Sequence, residues 1–293
     1  MKKLPVALCV LVFVAALCLT IYPLVSNYCA EKYASTAMAA YSDAVSSLDN
    51  TALDSTRQAA EQVNRTIGAI SLDGPDAIYL LNTPPLGYDE LLNVNGDGIM
   101  GYVRIPSIDV ALPIYHGVEG ETLEKGAGHL PGSSLPVGGD TTHAVLAAHS
   151  GLASQRMFTD LEQLQMGDTF FLTVLGDTLA YEVDQILVVE PDDTSALGRV
   201  AGQDYVTLIT CTPYGINTHR LLVRGKRVPY TPAQEEIMEA EVTTEPSTWR
   251  RQYVRGLTLG VGILVCGSFA AFIGWRLYRA KHTHRRCGKH EAR

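Results

Sequence analysis

"TLITCTPYGINTHRLLVRGKR", residues 207–227, alternates as a β-strand does, breaks at a Thr-Pro-Tyr-Gly turn, and alternates again. Successive side chains on a strand point to opposite faces, so Thr207, Ile209 and Cys211 share one face. The thiol then ends a strand, half exposed at a sheet rim. Arg220 opens the next run, nine residues later. Antiparallel pairing of the two runs would bring its guanidinium close to the sulfur. On residue types alone, a small buried cysteine and a surface arginine fit equally well.

The same texture extends upstream. "IMGYVRIPSIDVALPIYHG" (99–117) reads as two strands broken at Pro106. "HAVLAAH" (143–149), "DTFFLTV" (168–174), "LAYEVDQILVVE" (179–190), "DYVTLITC" (204–211) and "HRLLVRGKRV" (219–228) follow, with one helix-like piece, "MFTDLEQLQ" (157–165). Seven or eight short strands with few helices indicate a mainly β fold, a closed or nearly closed barrel over 99–229. Before it, residues 26–66 are rich in alanine and polar side chains and read as one or two helices forming a stalk. Residues 67–98 are broken by Pro75, Pro84, Pro85 and several glycines, with one short helix expected near Tyr88–Leu92. Residues 230–255 are acidic and read as a tether.

The two ends differ from this body. Residues 4–25 and 256–275 carry no charge, and each is long enough to cross about 30 Å of hydrocarbon as a helix. The first exceeds the apolar core of a cleaved signal peptide, and no small-residue cleavage site follows closely, so an uncleaved anchor is expected. Lys2 and Lys3 precede it. Seven basic residues in 276–293 follow the second segment, against Arg250, Arg251 and Arg255 on its other flank. This bias puts the tails 1–3 and 276–293 in the cytoplasm and residues 26–255 outside, in a two-pass membrane protein.

The net charge is −8, but the outward-facing segment holds 30 acidic and 14 basic side chains. So acidic a body argues against a nucleic-acid partner. Of six cysteines, only Cys29, beside the membrane, and Cys211 belong to that segment, so it is no disulfide scaffold.

A thiol nucleophile needs a neighbour that accepts its proton or favours the thiolate. His116, His129, His143, His149 and His219 are the available histidines. His149 closes the strand "HAVLAAH" before Ser150 and Gly151, so it lies at a strand-to-loop edge; spacing favours it only weakly. In a papain-like protease the cysteine would start a helix and precede its histidine. Here it ends a strand and follows His149.

"TLITC" with an arginine nine residues on resembles the TLxTC signature of the sortases. "GDGIMGYVRIPSIDVALPIYHG", "LEKGAGHLPGSSLPVGG" and "FTDLEQLQMGD" are similar to the pilin-polymerising class C branch, over about residues 93–229. The resemblance implies an eight-stranded barrel with Cys211 as nucleophile, His149 as general acid/base, and Arg220 as the residue that positions substrate or stabilises the oxyanion. It further implies cleavage of an LPXTG-like motif on a surface protein, transfer to a pilin lysine, and no need for a cofactor or metal. Attachment of single proteins to the cell wall is the alternative within the same chemistry. A silent scaffold that only binds sorting motifs is the alternative outside it. Two departures stand out. Ser150 replaces the arginine common after the histidine. The lid's usual Asp-Pro-aromatic motif is also absent, since Asp73 and Pro75 are split by Gly74 with no aromatic following. A lid here would use another residue, with Tyr79 or Tyr88 as candidates.

Overall fold

A computed structural model describes residues 3–68, 77–152, 154–233, 251, 253–263, 266–267 and 273. It divides into two compact units, Met1–Ser247 and Thr248–Arg293. In the first, helices α1 (Lys3–Ser47), α2 (Asn50–Gly68) and α3 (Ala77–Asn82) lead into eight strands. These are β1 (Ile99–Ile105), β2 (Val110–His116), β3 (Ala127–His129), β4 (Thr142–Ala147), β5 (Thr169–Val174), β6 (Asp177–Val189), β7 (Asp204–Thr212) and β8 (His219–Val228), with a one-turn helix α4 (Gly120–Leu123) before β3.

The strands close a barrel in the order β1-β2-β3-β4-β7-β8-β6-β5, with β1 pairing β5. The β2–β3 and β4–β7 pairs are parallel and the rest antiparallel. Closure removes the unpaired edges of an open sheet. The break at Pro106 is a 3-10 turn, Pro106–Ile108. The piece 157–165 holds a 3-10 turn, Thr159–Gln163, and no α-helix. β3 was not foreseen.

One filled interior holds the barrel. Phe170 stacks on Tyr181 with ring centroids 5.7 Å apart. Gly225 of β8 faces the pair, and a Cβ there would lie 2.5 Å from the Phe170 ring, so only glycine fits. The β5–β6 hairpin turns on Leu175 (φ 50°) and Gly176 (φ 83°), the two left-handed residues of a type I′ turn.

The stalk expected over 26–66 lies against the barrel. α1 runs unbroken through 45 residues, and over Val14–Ser47 it is long and apolar enough to cross a membrane by length and composition. Its far end docks through Tyr41, whose hydroxyl donates to Met100 O and accepts from Leu175 N–H, both at 2.9 Å. α2 docks through Asn64, which exchanges two hydrogen bonds with the Leu135 backbone at 3.0 and 2.7 Å. In the second unit, residues 253–263 are helical. The rest of the expected second span lies largely outside the described residues, as do most of the tether and all of the basic tail.

Two histidines belong to this framework. His129 is fully buried, with Tyr88 Oη 2.8 Å from Nδ1 and Ser134 O 2.8 Å from Nε2. His143 is 1% exposed, between Gly198 O (2.9 Å) and Thr207 Oγ1 (2.7 Å). Burial lowers the pKa of each to about 4. The folded values lie below the unfolded 6.5, so the unfolded chain binds more protons in that interval. The stabilisation, on the order of 3 kcal/mol for each ring, is full above pH 6.5 and disappears as pH falls towards 4. Denaturant unfolding should show this decline, with both imidazoles titrating near pH 4 by NMR. Values near 6.5 would contradict the buried, neutral assignment.

Candidate active site

β7 is the strand on which the site is built. Its pairing with β8 sets Cys211 directly opposite Arg220, and Thr212 opposite His219. On its other side β4 runs parallel, with Ala147 abreast of Ile209. That register continues past β4, as Ala148 N–H donates to Ile209 O (3.1 Å) and Thr210 Oγ1 to Ala148 O (2.8 Å). His149, the next residue, therefore arrives abreast of Cys211. His149, Cys211 and Arg220 all line one cleft of about 460 Å³.

The cysteine is free and half-buried. Arg220 donates through Nη1 to His219 O (3.1 Å) and Asn217 O (3.3 Å), and no carboxylate pairs with it among the described residues. Its positive charge therefore remains available to an anion forming in the cleft. The other histidines are occupied elsewhere. His129 and His143 are locked in the framework. His116 has backbone carbonyls against both ring nitrogens, at 3.0 and 2.7 Å. His219 lies 3.4 Å from Glu190. The ring of His149 makes no hydrogen bond among the described residues, and the residue lines the cleft. No cluster able to hold a metal exists among the described residues.

The cleft has an apolar floor. Leu130, Leu197, Ile209 and Leu222 line it, and α3 lies over it through Ile78, Leu81 and Asn82. Leu81 is 1% exposed and packs with Val145, Leu197 and Leu222. Its carbonyl accepts from Gly132 N–H at 2.7 Å. A Cβ at Gly132 would strike the Leu80 carbonyl oxygen, so glycine is what lets α3 settle there. Neither tyrosine suggested as a lid residue covers the site. Tyr79 is 70% exposed, and Tyr88 is buried against His129 and Gly117. Asp73, Gly74 and Pro75 lie outside the described residues. The signal for Leu81 was present in "AIYLL" (77–81), a short apolar run amid turn-forming residues, but its one aromatic, Tyr79, points to solvent.

A Sortase domain model matches residues 103–228. Sortase C1 of Streptococcus agalactiae is 42% identical, superposes with a TM-score of 0.61, and is covered over its whole length by 67% of this chain. Sortase C-1 of Actinomyces oris is 47% identical, with a TM-score of 0.54, over 61% of this chain and 99% of its own. Sortase D of Bacillus subtilis is 31% identical over 131 residues, 44% of this chain. Sortase A of S. agalactiae is 28% identical over 148 residues, 48% of this chain. The chain spans only 63% and 59% of these last two. Identity above 40% along the full length of solved class C enzymes is more than a shared barrel would require. The chain belongs to the sortase family of cysteine transpeptidases, in its class C branch.

Proposed function

We propose that this protein is a membrane-anchored transpeptidase that cleaves an LPXTG-like sorting motif between Thr and Gly. It then joins the threonyl group to a lysine of a pilin subunit. The single observation that carries this is the convergence of His149, Cys211 and Arg220 on one cleft. The long apolar α1 supports anchoring, and the two-pass arrangement with both termini cytoplasmic is the topology we assign.

The Cys211 thiolate attacks the threonyl carbonyl, and negative charge moves to its oxygen. The Arg220 guanidinium and nearby backbone N–H groups offset that charge as it forms. His149 gives its proton to the departing glycine amine as the C–N bond breaks, leaving a thioester on Cys211. The lysine Nζ then attacks, His149 takes back a proton, the C–S bond breaks, and an isopeptide bond remains. The thioester conserves the energy of the cleaved peptide bond. α3 covers the floor that the apolar end of the motif would use, so it must move before substrate binds.

Two outcomes are expected of the full-length chain in detergent, incubated with an LPXTG-type pilin. Cys211→Ala should form no thioacyl adduct by intact mass, and Arg220→Lys should lower turnover by about a hundredfold, because a point charge does not replace a planar fork. Near-normal turnover in either variant would remove that residue from the mechanism. Leu81→Ala should weaken α3 docking by about 2 kcal/mol, and so raise the acylation rate by up to roughly thirtyfold. An unchanged rate would mean that α3 does not gate the cleft.

A further inference from the structure

Arg156 lies seven residues beyond His149 and is the hub of the loop leaving it. Its Nη2 donates to Asp160 Oδ2 (3.2 Å) and Ile108 O (3.1 Å). Its Nη1 is 3.4 Å from Asp109 Oδ2 and 3.9 Å from Glu31 Oε1 of α1. These partners are unequal. The Asp109 and Glu31 carboxylates are 76% and 62% exposed, so water and salt screen them. Asp160 is 1% exposed, and its Oδ1 accepts from Gln163 Nε2 at 2.8 Å. The Arg156–Asp160 pair is thus the buried one, where loss of a partner is felt most.

From that pair the contacts return to His149. Thr159 N–H donates to Arg156 O (2.8 Å), and Gly151 N–H donates to Thr159 Oγ1 (3.1 Å). Phe158 N–H donates to His149 O (3.0 Å). The loop also passes through left-handed backbone at Met157 (φ 46°), a conformation that a non-glycine residue holds only when its surroundings require it. His149 has no hydrogen-bonded partner on its ring among the described residues, unlike His116, His129 and His143. Its place depends on its backbone, which the β4–β7 register holds on one side and this loop on the other.

We propose that Arg156 is a positioning residue for His149. By clamping Asp160 it fixes the loop that sets the imidazole beside Cys211. This rests on His149 being the acid/base of the proposed reaction. The guanidinium is not among the groups that line the cleft.

The test uses the full-length chain in detergent with two variants. Arg156→Met keeps the apolar stem. The double variant Arg156→Met/Asp160→Asn also removes the buried negative charge that the single variant leaves without its guanidinium. Three properties are followed: the thermal midpoint, kcat and KM on a fluorogenic Leu-Pro-Xaa-Thr-Gly peptide, and the pH dependence of Cys211 alkylation by iodoacetamide. Both variants should lose about tenfold to a hundredfold in kcat with KM little changed, as expected when a catalytic group is displaced. Both should also shift the pH midpoint of alkylation. The double variant should regain thermal stability without regaining kcat or the wild-type alkylation profile. Recovery of all three together would reduce Arg156 to a structural role and overturn the proposal. Unchanged kcat and alkylation in a folded Arg156→Met would overturn it as well. A wild-type chain that leaves the peptide intact would count against the transpeptidase reading. The alkylation profiles would then decide on Arg156 alone.

Discussion

Everything at the active site depends on the register of β7 between its two neighbours. Strand side chains alternate, so a slip of one residue on either side would turn the thiol away from both partners. The register is secured several residues below the site. Leu208 and Val223, directly paired, are both fully buried. Thr207 is tied to His143 of β4, and Arg224 of β8 grips Asp184 of β6 with two bonds at 2.9 and 3.0 Å. Asp184 sits where the β6–β8 register shifts, so the ion pair pins an irregularity that would otherwise be free to slide. The core thus fixes the positions of Cys211, Arg220 and His149 at the rim.

The histidines divide along the same lines. A buried imidazole with both nitrogens committed, such as His129 or His143, is a neutral strut whose proton is costly to add. An acid/base must instead gain and lose a proton in each cycle, which a committed ring does poorly. His149 differs by lying two residues beyond β4, where the wall ends and the loop begins. Freedom of the ring and control of the backbone are separate requirements. Here the strand and the loop meet them from opposite sides.

Much of this was legible in the residues. Alternation identified seven of the eight strands, because each is long enough to show its period. β3 was not, since three residues, Ala127–His129, cannot show a period and their parallel pairing leaves no hairpin signal. The pairing of Cys211 with Arg220 followed from a short turn between two runs of opposite direction. The choice among five histidines did not, because it depends on the parallel β4–β7 contact between segments some 60 residues apart. How the helices over 26–66 dock was harder to read: apolar positions there are sparse, and a few of them, such as Val45 and Ala60, act together with the polar side chains Tyr41 and Asn64. Residue types show such side chains but not their distant partners.

The chemistry of α3 bears on how the cleft would open. A plug held by an ion pair would leave a costly unpaired charge when displaced, and its release would follow pH and salt. Leu81 is held by apolar contact and one backbone hydrogen bond through its carbonyl. Exchanging one buried aliphatic side chain for another of similar volume changes little free energy. A leucine entering with the proposed sorting motif would therefore compete with Leu81 for the same floor on nearly equal terms. The backbone bond to Gly132 is the part a substrate must replace or forgo. On that balance, opening depends on the local concentration of the substrate that competes for the floor.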